Sequence, residues 1–297
     1  MKMVTVFTPT YNRAYCLDRL YESLCQQTEH SFTWLIVDDG SKDNTEETVN
    51  RYIAERKIDI RYYKKENGGK HTAHNLGVEL CDTELFICVD SDDKLTPNAI
   101  EVIVSVYRAH QDENLLGMYF RKKTLDGRLL STPYPAGIDR VGISELYHRY
   151  RFQGDMVIVL KTECITPYRF PVIKGERFMT EVVFYNMLNH IAPMLLRDEA
   201  IYEFEYLEDG YTQNAKKLVS KNPYGMAIAY LSEAKHEKGL MAKCKQYARY
   251  RSIVNVFSLD KRVLRDYNHL SVLVKTASLA LLPHYNKLYQ NIKESGK

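Results

Sequence analysis

The chain has 297 residues, 45% of them hydrophobic and 27% charged, the composition of a soluble globular protein long enough for one large domain or two smaller ones. A formal charge of +3 is too small to imply a nucleic-acid partner. The charge is unevenly spread: from Glu237 to the end, twelve Lys and Arg stand against four Asp and Glu, a net of +8 that leaves −5 for the rest.

The six cysteines, Cys16, Cys25, Cys81, Cys88, Cys164 and Cys244, contain no C-x-x-C pair and no metal-ligand spacing, so reduced thiols in a cytoplasmic setting are expected. Residues 1–8 read as a strand and lack the apolar run of a signal peptide. No stretch approaches the roughly 20 apolar residues of a membrane span; the longest apolar piece, Leu270 to Leu282, is interrupted by Lys275.

In chain order, short apolar runs alternate with helical stripes, the pattern of parallel strands joined by crossover helices. Val4 to Thr8 predicts a first strand, and Leu17, Leu20, Tyr21 and Leu24 a helix. Trp34 to Val37 predicts a second strand, ending in Asp38-Asp39-Gly40-Ser41 before a helix through Val49, Tyr52 and Ile53. Ile58 to Tyr63 is a third, followed by the turn Glu66-Asn67-Gly68-Gly69 and a helix from Lys70 to Leu80. Leu85 to Val89 is a fourth, and in open α/β sheets ligands bind beyond such carboxyl ends. Met118 to Lys122 and Asp155 to Leu160 predict further strands, with Lys123 to Gly142 a loop or ribbon. Glu181 to His190 predicts a helix, Ala200 to Tyr206 a strand, and everything from Ala215 onward helices broken near Asn222-Pro223, Gly239 and Pro283.

The fourth strand runs into Asp90-Ser91-Asp92-Asp93, three carboxylates in four residues. Carboxylates so close repel, and leaving a buried strand costs free energy unless a cation or strong donors meet them. Hard oxygen ligands of this kind suit Mg²⁺ or Mn²⁺, whose other partners are commonly phosphate oxygens. The competing reading is a helix cap, with Ser91, Asp92 or Asp93 capping a helix opened by Pro97.

Val4-Thr5-Val6-Phe7-Thr8-Pro9-Thr10-Tyr11-Asn12-Arg13, Asp38-Asp39-Gly40-Ser41, Asn67 to Gly77 and Asp90-Ser91-Asp92-Asp93 together resemble the nucleotide-binding half of a family 2 glycosyltransferase. The resemblance is strong over residues 1–110 and weaker to about 215. It implies a GT-A fold: an α/β, Rossmann-like, mostly parallel sheet with flanking helices, here followed by a helical extension. It divides the chain into a nucleotide-sugar half at 1–105, an acceptor half at 106–214 and the extension at 215–297.

By that resemblance, Thr8, Pro9, Tyr11 and Arg13 would line a base pocket, and Asp39 would accept from the N3–H of a uracil. Asp90 would approach the ribose, Asp92 would hold the metal bridging the pyrophosphate, and Asp93 would be a second ligand or a cap. Asn67 to Gly77 follows the family's N-x-G-x-x-x-A-R-N-x-G, except that His74 stands where arginine is usual; Lys70 or His74 would then face the diphosphate. The base for an inverting transfer would be Glu181, with Thr180 in place of the family's first acid; Glu176 is the alternative, against a surface ion pair with Arg177 or Lys174. Asp209 to Asn214 resembles a segment near the active site of some bacterial members, or is a simple turn.

The implied activity is metal-dependent, inverting transfer of a sugar, from a UDP-sugar or other nucleotide-diphosphate sugar, to a glycan or lipid-linked acceptor. A catalytically silent nucleotide-sugar-binding module of a polysaccharide assembly system is the alternative, supported by the departures at His74 and Thr180. A haloacid-dehalogenase-like phosphatase fits poorly, since Lys94 occupies the Thr position of its D-x-D-x-T motif. The basic tail is expected either to contact anionic lipid at the inner face of the cell membrane or to form a helical cap or homodimer interface.

Overall fold

Every residue of β1 (Val4–Thr10) and β2 (Phe32–Asp38) is buried, so both are covered on both faces, as parallel strands flanked by helices must be. α1 (Leu17–Cys25) turns Leu17, Leu20, Tyr21 and Leu24 inward, and α2 (Thr45–Glu55) turns Thr45, Val49 and Tyr52 inward. Trp34 stacks with Tyr21 and Tyr52, centroids 6.1 and 6.0 Å away. β3 (Ile60–Lys64), α3 (Lys70–Leu80) and β4 (Leu85–Cys88) complete a parallel set in the order β3-β2-β1-β4. The computed structural model describes residues 2–204 and 215–295.

Beyond β4 the strand directions mix. β5 (Lys94–Leu95), α4 (Ala99–Ala109), β6 (Gly117–Thr124), β7 (Arg140–Val141), α5 (Glu145–Tyr150), β8 (Met156–Lys161) and α6 (Thr162–Ile165) follow in the chain. After α7 (Val182–Leu188) comes β9 (Met194–Phe204), and the sheet continues β4-β8-β6-β9-β5, with β7 on β9. β8 runs antiparallel to both β4 and β6, while β6 and β9 are parallel. Gly117 makes the β6–β8 approach feasible, since a Cβ there would lie 2.0 Å from the Val159 carbonyl oxygen.

β9 begins at Met194, six residues before the expected strand. The charged triplet Arg197-Asp198-Glu199 lies inside β9, because the β6–β9 register shifts between Tyr119 and Arg121 and absorbs these residues as an irregularity. Asp198 accepts from buried Arg121 at 2.8 Å, and Arg197 pairs with Glu199 at 2.6 Å. The expected Lys123 to Gly142 ribbon is held by bridges Lys123–Leu129 and Ser131–Gly154 and by β7.

Two compact units are present: Met1–Arg169 with Leu188–Glu205, and Phe170–Met187 with Tyr206–Lys297. The first contains the sheet. The second contains α8 (Ala215–Lys221), α9 (Pro223–His236), α10 (Leu240–Phe257), a 3-10 turn at Arg265–Tyr267, α11 (Val272–Ala277), a 3-10 stretch at Ser278–Leu281 and α12 (Leu282–Ser295). α10 packs on α9, α11 and α12, with the Arg249 guanidinium over Tyr230 and Tyr285 at 5.9 and 5.5 Å and the Tyr289 hydroxyl donating to Tyr230 at 2.7 Å. The helices expected from Ala215 onward are present, and the break at Asn222-Pro223 starts α9 with proline in its first turn. The Asp209 to Asn214 segment lies outside the described residues.

Candidate functional site

At the end of β1 the chain enters the left-handed region at Asn12 (φ 53°), a conformation asparagine tolerates. The turn is tied to the segment after β2. Asn12 N–H donates to Ser41 Oγ at 2.8 Å, Lys42 N–H donates to Asn12 Oδ1 at 2.8 Å, and Ala14 N–H donates to Asp43 Oδ2 at 3.1 Å. Tyr11 is thereby left exposed, and the Arg13 guanidinium reaches the Tyr15 hydroxyl. Thr8 and Pro9 are buried within β1, and the Thr8 hydroxyl accepts from Trp34 Nε1 at 3.0 Å. Of the expected base-pocket residues, Tyr11 is exposed and Arg13 half-buried, while Thr8 and Pro9 are buried in β1.

The two aspartates after β2 hold the turns around them. Asp38 accepts from Ser41 N–H and the Tyr62 hydroxyl, each at 2.7 Å. Asp39, only 3% exposed, accepts from Lys65 Nζ and Gly68 N–H on Oδ1 and from Gly69 N–H on Oδ2, at 2.7, 2.9 and 2.6 Å. With two lone pairs on each carboxylate oxygen, one acceptor position on Oδ2 remains. Lys65 also donates to the Glu66 carbonyl and the Thr72 hydroxyl, at 2.6 and 2.8 Å. The glycine turn before α3 is therefore built around one ion pair, buried at Asp39 and half-buried at Lys65.

α3 lies close against β1 because Gly77 has no side chain: a Cβ would come 2.4 Å from the Phe7 ring. His74 is 8% exposed and meets Phe7 and Phe86 edge-on, centroids 5.7 and 5.4 Å away. Burial lowers the pKa of neighbouring His71, so that imidazole is neutral at pH 7. Lys70 ion-pairs with Asp90 at 2.7 Å.

The acidic turn is no helix cap. β5 intervenes, α4 starts at Ala99, and Asn98 at its cap position makes no side-chain cap bond. Instead the turn is fastened from β9 and α1. The Tyr202 hydroxyl donates to Asp93 Oδ2 at 2.7 Å and accepts from Asp90 N–H at 3.1 Å, Asp93 N–H donates to the Asp90 carbonyl at 3.1 Å, and Arg19 donates to the Asp92 carbonyl. Lys122, paired with Tyr202 in the β6–β9 ladder, holds its ammonium 4.4 Å from the centre of the Tyr202 ring.

The charges separate the three carboxylates. Although burial opposes ionisation of Asp90, Lys70 and Lys122 hold its pKa below the usual range. Burial and then the Asp90 charge raise Asp92, and the same two causes push Asp93 up to about 7. Lys122, Tyr202, Lys65 and Arg19 are participants that the sequence reading missed. Tyr202 is 109 residues from Asp93, and only the strand pairing brings them together.

Among the described residues no group of three or more His, Cys, Asp or Glu is arranged to hold a metal by itself. The donor set does fit a hard divalent ion shared with a phosphate ligand. Burial and the Asp90 charge oppose ionisation of Asp92 and Asp93, a cost that a divalent cation would relieve, and Mg²⁺ is commonly held by one or two carboxylates plus phosphate oxygens.

Glu181 lies in the second unit, exposed in the turn that enters α7, where its carbonyl accepts from Tyr185 N–H at 3.1 Å. Glu176, in the same unit, clamps the start of α9: its carboxylate accepts from Tyr224 and Gly225 N–H, each at 2.7 Å. Burial raises its pKa against the pull of those two donors. The expected ion pair with Arg177 or Lys174 is thus replaced by a helix-terminus clamp.

A parallel sheet with glycine-turn and carboxylate-bearing strand ends, continued by mixed strands, defines the GT-A class of glycosyltransferase folds. Solved structures agree over 99% of this chain: Staphylococcus aureus TarS 1-349 in complex with UDP-GlcNAc (TM-score 0.62, 18% identity, 91% of that chain) and the mannosyltransferase PcManGT from Pyrobaculum calidifontis in complex with GDP-Man and Mn²⁺ (TM-score 0.52, 16% identity, 85% of that chain). The chain belongs to glycosyl transferase family 2, whose sequence model matches residues 5–170. It is 24% identical to the glycosyltransferase GlyG of Streptococcus pneumoniae over 215 residues, 68% of this chain and 70% of GlyG. It is 31% identical to the chondroitin synthase of Escherichia coli over 134 residues, 44% of this chain and 19% of that synthase.

Proposed function

We propose that this glycosyltransferase moves a sugar from a nucleoside-diphosphate sugar, a UDP-sugar, to a hydroxyl of a glycan or lipid-linked saccharide, with inversion at the anomeric carbon. The observation that carries the reading is the acidic turn after β4, fastened by Tyr202 and Arg19, where burial and the Asp90 charge oppose ionisation of Asp92 and Asp93 in the way a bound divalent cation would relieve. Support also comes from the ligands of the fold relatives, UDP-GlcNAc in TarS and GDP-Man with Mn²⁺ in PcManGT.

On this reading residues 1–105 bind the donor, 106–214 contribute the acceptor side and 215–297 form the extension. Tyr11 and Arg13, backed by Thr8 and Pro9, face the base, and the remaining lone pair of Asp39 Oδ2 accepts the N3–H of uracil. Asp90 approaches the ribose, and Lys70 and Lys122 supply positive charge toward the diphosphate. Asp92 and Asp93 hold Mn²⁺ or Mg²⁺, which when bound neutralises charge developing on the leaving diphosphate. Glu181 takes the proton of the acceptor hydroxyl as its oxygen bonds to the anomeric carbon and the bond to the diphosphate breaks.

The second reading, a silent nucleotide-sugar-binding module, is favoured by the burial of His74 between Phe7 and Phe86 and by Thr180 standing in place of an acid. Melting shifts with a panel of nucleotide-sugars and Mn²⁺, followed by assays of released nucleoside diphosphate, separate the two. Binding with turnover that Asp92→Ala and Glu181→Ala abolish supports the enzyme. Binding with no turnover in the parent chain supports the module, and no binding of any nucleoside diphosphate contradicts both.

A further inference from the structure

Val272–Ala277, Ser278–Leu281 and Leu282–Ser295 follow one another without a gap, so residues 272–295 form one helical run. Its inner stripe, Val274, Ser278, Tyr285 and Tyr289, is buried, and each of its segments packs on α10. A helix on a protein surface ordinarily turns a polar face outward. Over residues 272–280 this one does not: Val272, Leu273 and Leu279 point away from the packed seam, exposed by 77, 63 and 46%, and Leu288, exposed by 42%, follows among the polar His284, Lys287 and Gln290. Thr276, Ala277 and Ala280, exposed as well, add no charge to the same outer surface.

The charge along the run itself is of one sign. From Tyr267 to Lys293 the sequence contains Lys275, Lys287 and Lys293 and no Asp or Glu. Lys293 donates to the Val256 carbonyl at 2.7 Å, while Lys275 and Lys287 form no ion pair among the described residues. Just upstream, residues 260–266 hold Lys261, Arg262 and Arg265 against Asp260 and Asp266, a net of +1. No helix among the described residues is long and apolar enough to cross a membrane.

We propose that the outer face of residues 272–288 docks on an anionic lipid surface, with Val272, Leu273 and Leu279 entering the headgroup boundary and Lys275 and Lys287 meeting lipid phosphates. An apolar face bordered by lysines is the composition of a helix that lies in the membrane interface. A second copy of the chain fits less well, because a two-fold contact through this face brings lysines against lysines with no carboxylate between them. The surface belongs to the helical unit, and its binding is measured without nucleotide, so its failure and that of the transferase reading are separate events.

The test is co-sedimentation of the full chain with vesicles of phosphatidylcholine alone and with about 30% phosphatidylglycerol, at low and high salt. The expected result is binding to the anionic vesicles only, weakened by salt. Lys275→Gln with Lys287→Gln should weaken it roughly 25-fold, from about fivefold per lysine, and Val272→Asp with Leu279→Asp should abolish it; these are exposed positions outside the packed seam. Failure of the parent chain to bind anionic vesicles overturns the proposal, as does binding unchanged in both variants. Self-association of the parent in sedimentation equilibrium, lost in the aspartate variant and with no vesicle binding, overturns it in favour of a second copy.

Discussion

Asp93 sets a pH dependence that can be read in the metal-free chain. Its carboxyl keeps its proton up to about pH 7 in the folded protein, against about 3.9 in an unfolded chain. Between those values the folded state binds more protons, so this group's contribution to stability falls as pH rises through that window. Asp93→Asn keeps an oxygen to accept from Tyr202 and removes the charge. Its stabilising effect should therefore grow by roughly 2–3 kcal/mol between pH 5 and pH 8, read from denaturant midpoints without metal; an effect independent of pH contradicts the assignment. Lys122 is the complementary residue, a cation against Asp90 and Asp93 that the motifs do not contain. Lys122→Met should weaken donor binding about tenfold in titration calorimetry, near the 1.4 kcal/mol of one partly exposed charge contact, while leaving the fold intact.

At the scale of elements, two close approaches carry much of the architecture. α3 reaches β1 only through Gly77, and Gly77→Ala drives a methyl into the Phe7 ring. The expected cost is about 1–3 kcal/mol, measured by denaturant unfolding, together with weaker donor binding as the glycine turn and Asp39 shift. The start of α9 depends on Glu176. Glu176→Ala frees the Tyr224 and Gly225 amides from their carboxylate at a cost of about 2 kcal/mol. Hydrogen exchange should report it as faster exchange at those two amides. Unchanged protection there would contradict the clamp.

Across the whole molecule, sequence pattern was informative where burial is two-sided and local. The parallel strands, their crossover helices and the helical extension are legible because β1, β2 and β4 are short runs rich in Val, Ile, Leu and Phe and α1 carries an apolar stripe, while α3, whose buried positions include His71 and His74, is marked by its glycine turn. β9 was harder, since Arg197, Asp198 and Glu199 sit inside it and only the shifted register with β6 and the Arg121 contact explain them. The acidic turn was legible as unbalanced charge, but its fastening by Tyr202 and Arg19 was not, because both depend on pairings between distant segments. The glycine turn was legible as a turn, whereas its dependence on Lys65 and buried Asp39 follows from side-chain geometry alone. Family membership fixes the class of chemistry.

The most direct measurement is release of nucleoside diphosphate from a panel of nucleotide-sugars by the parent chain, with Mn²⁺ and after chelation, beside Asp92→Ala and Glu181→Ala. The expected result is turnover of a UDP-sugar that requires the divalent ion and falls at least about a hundredfold in each variant. Turnover that survives chelation and the loss of Asp92 would contradict the central claim that the acidic turn after β4 holds the ion and the donor diphosphate.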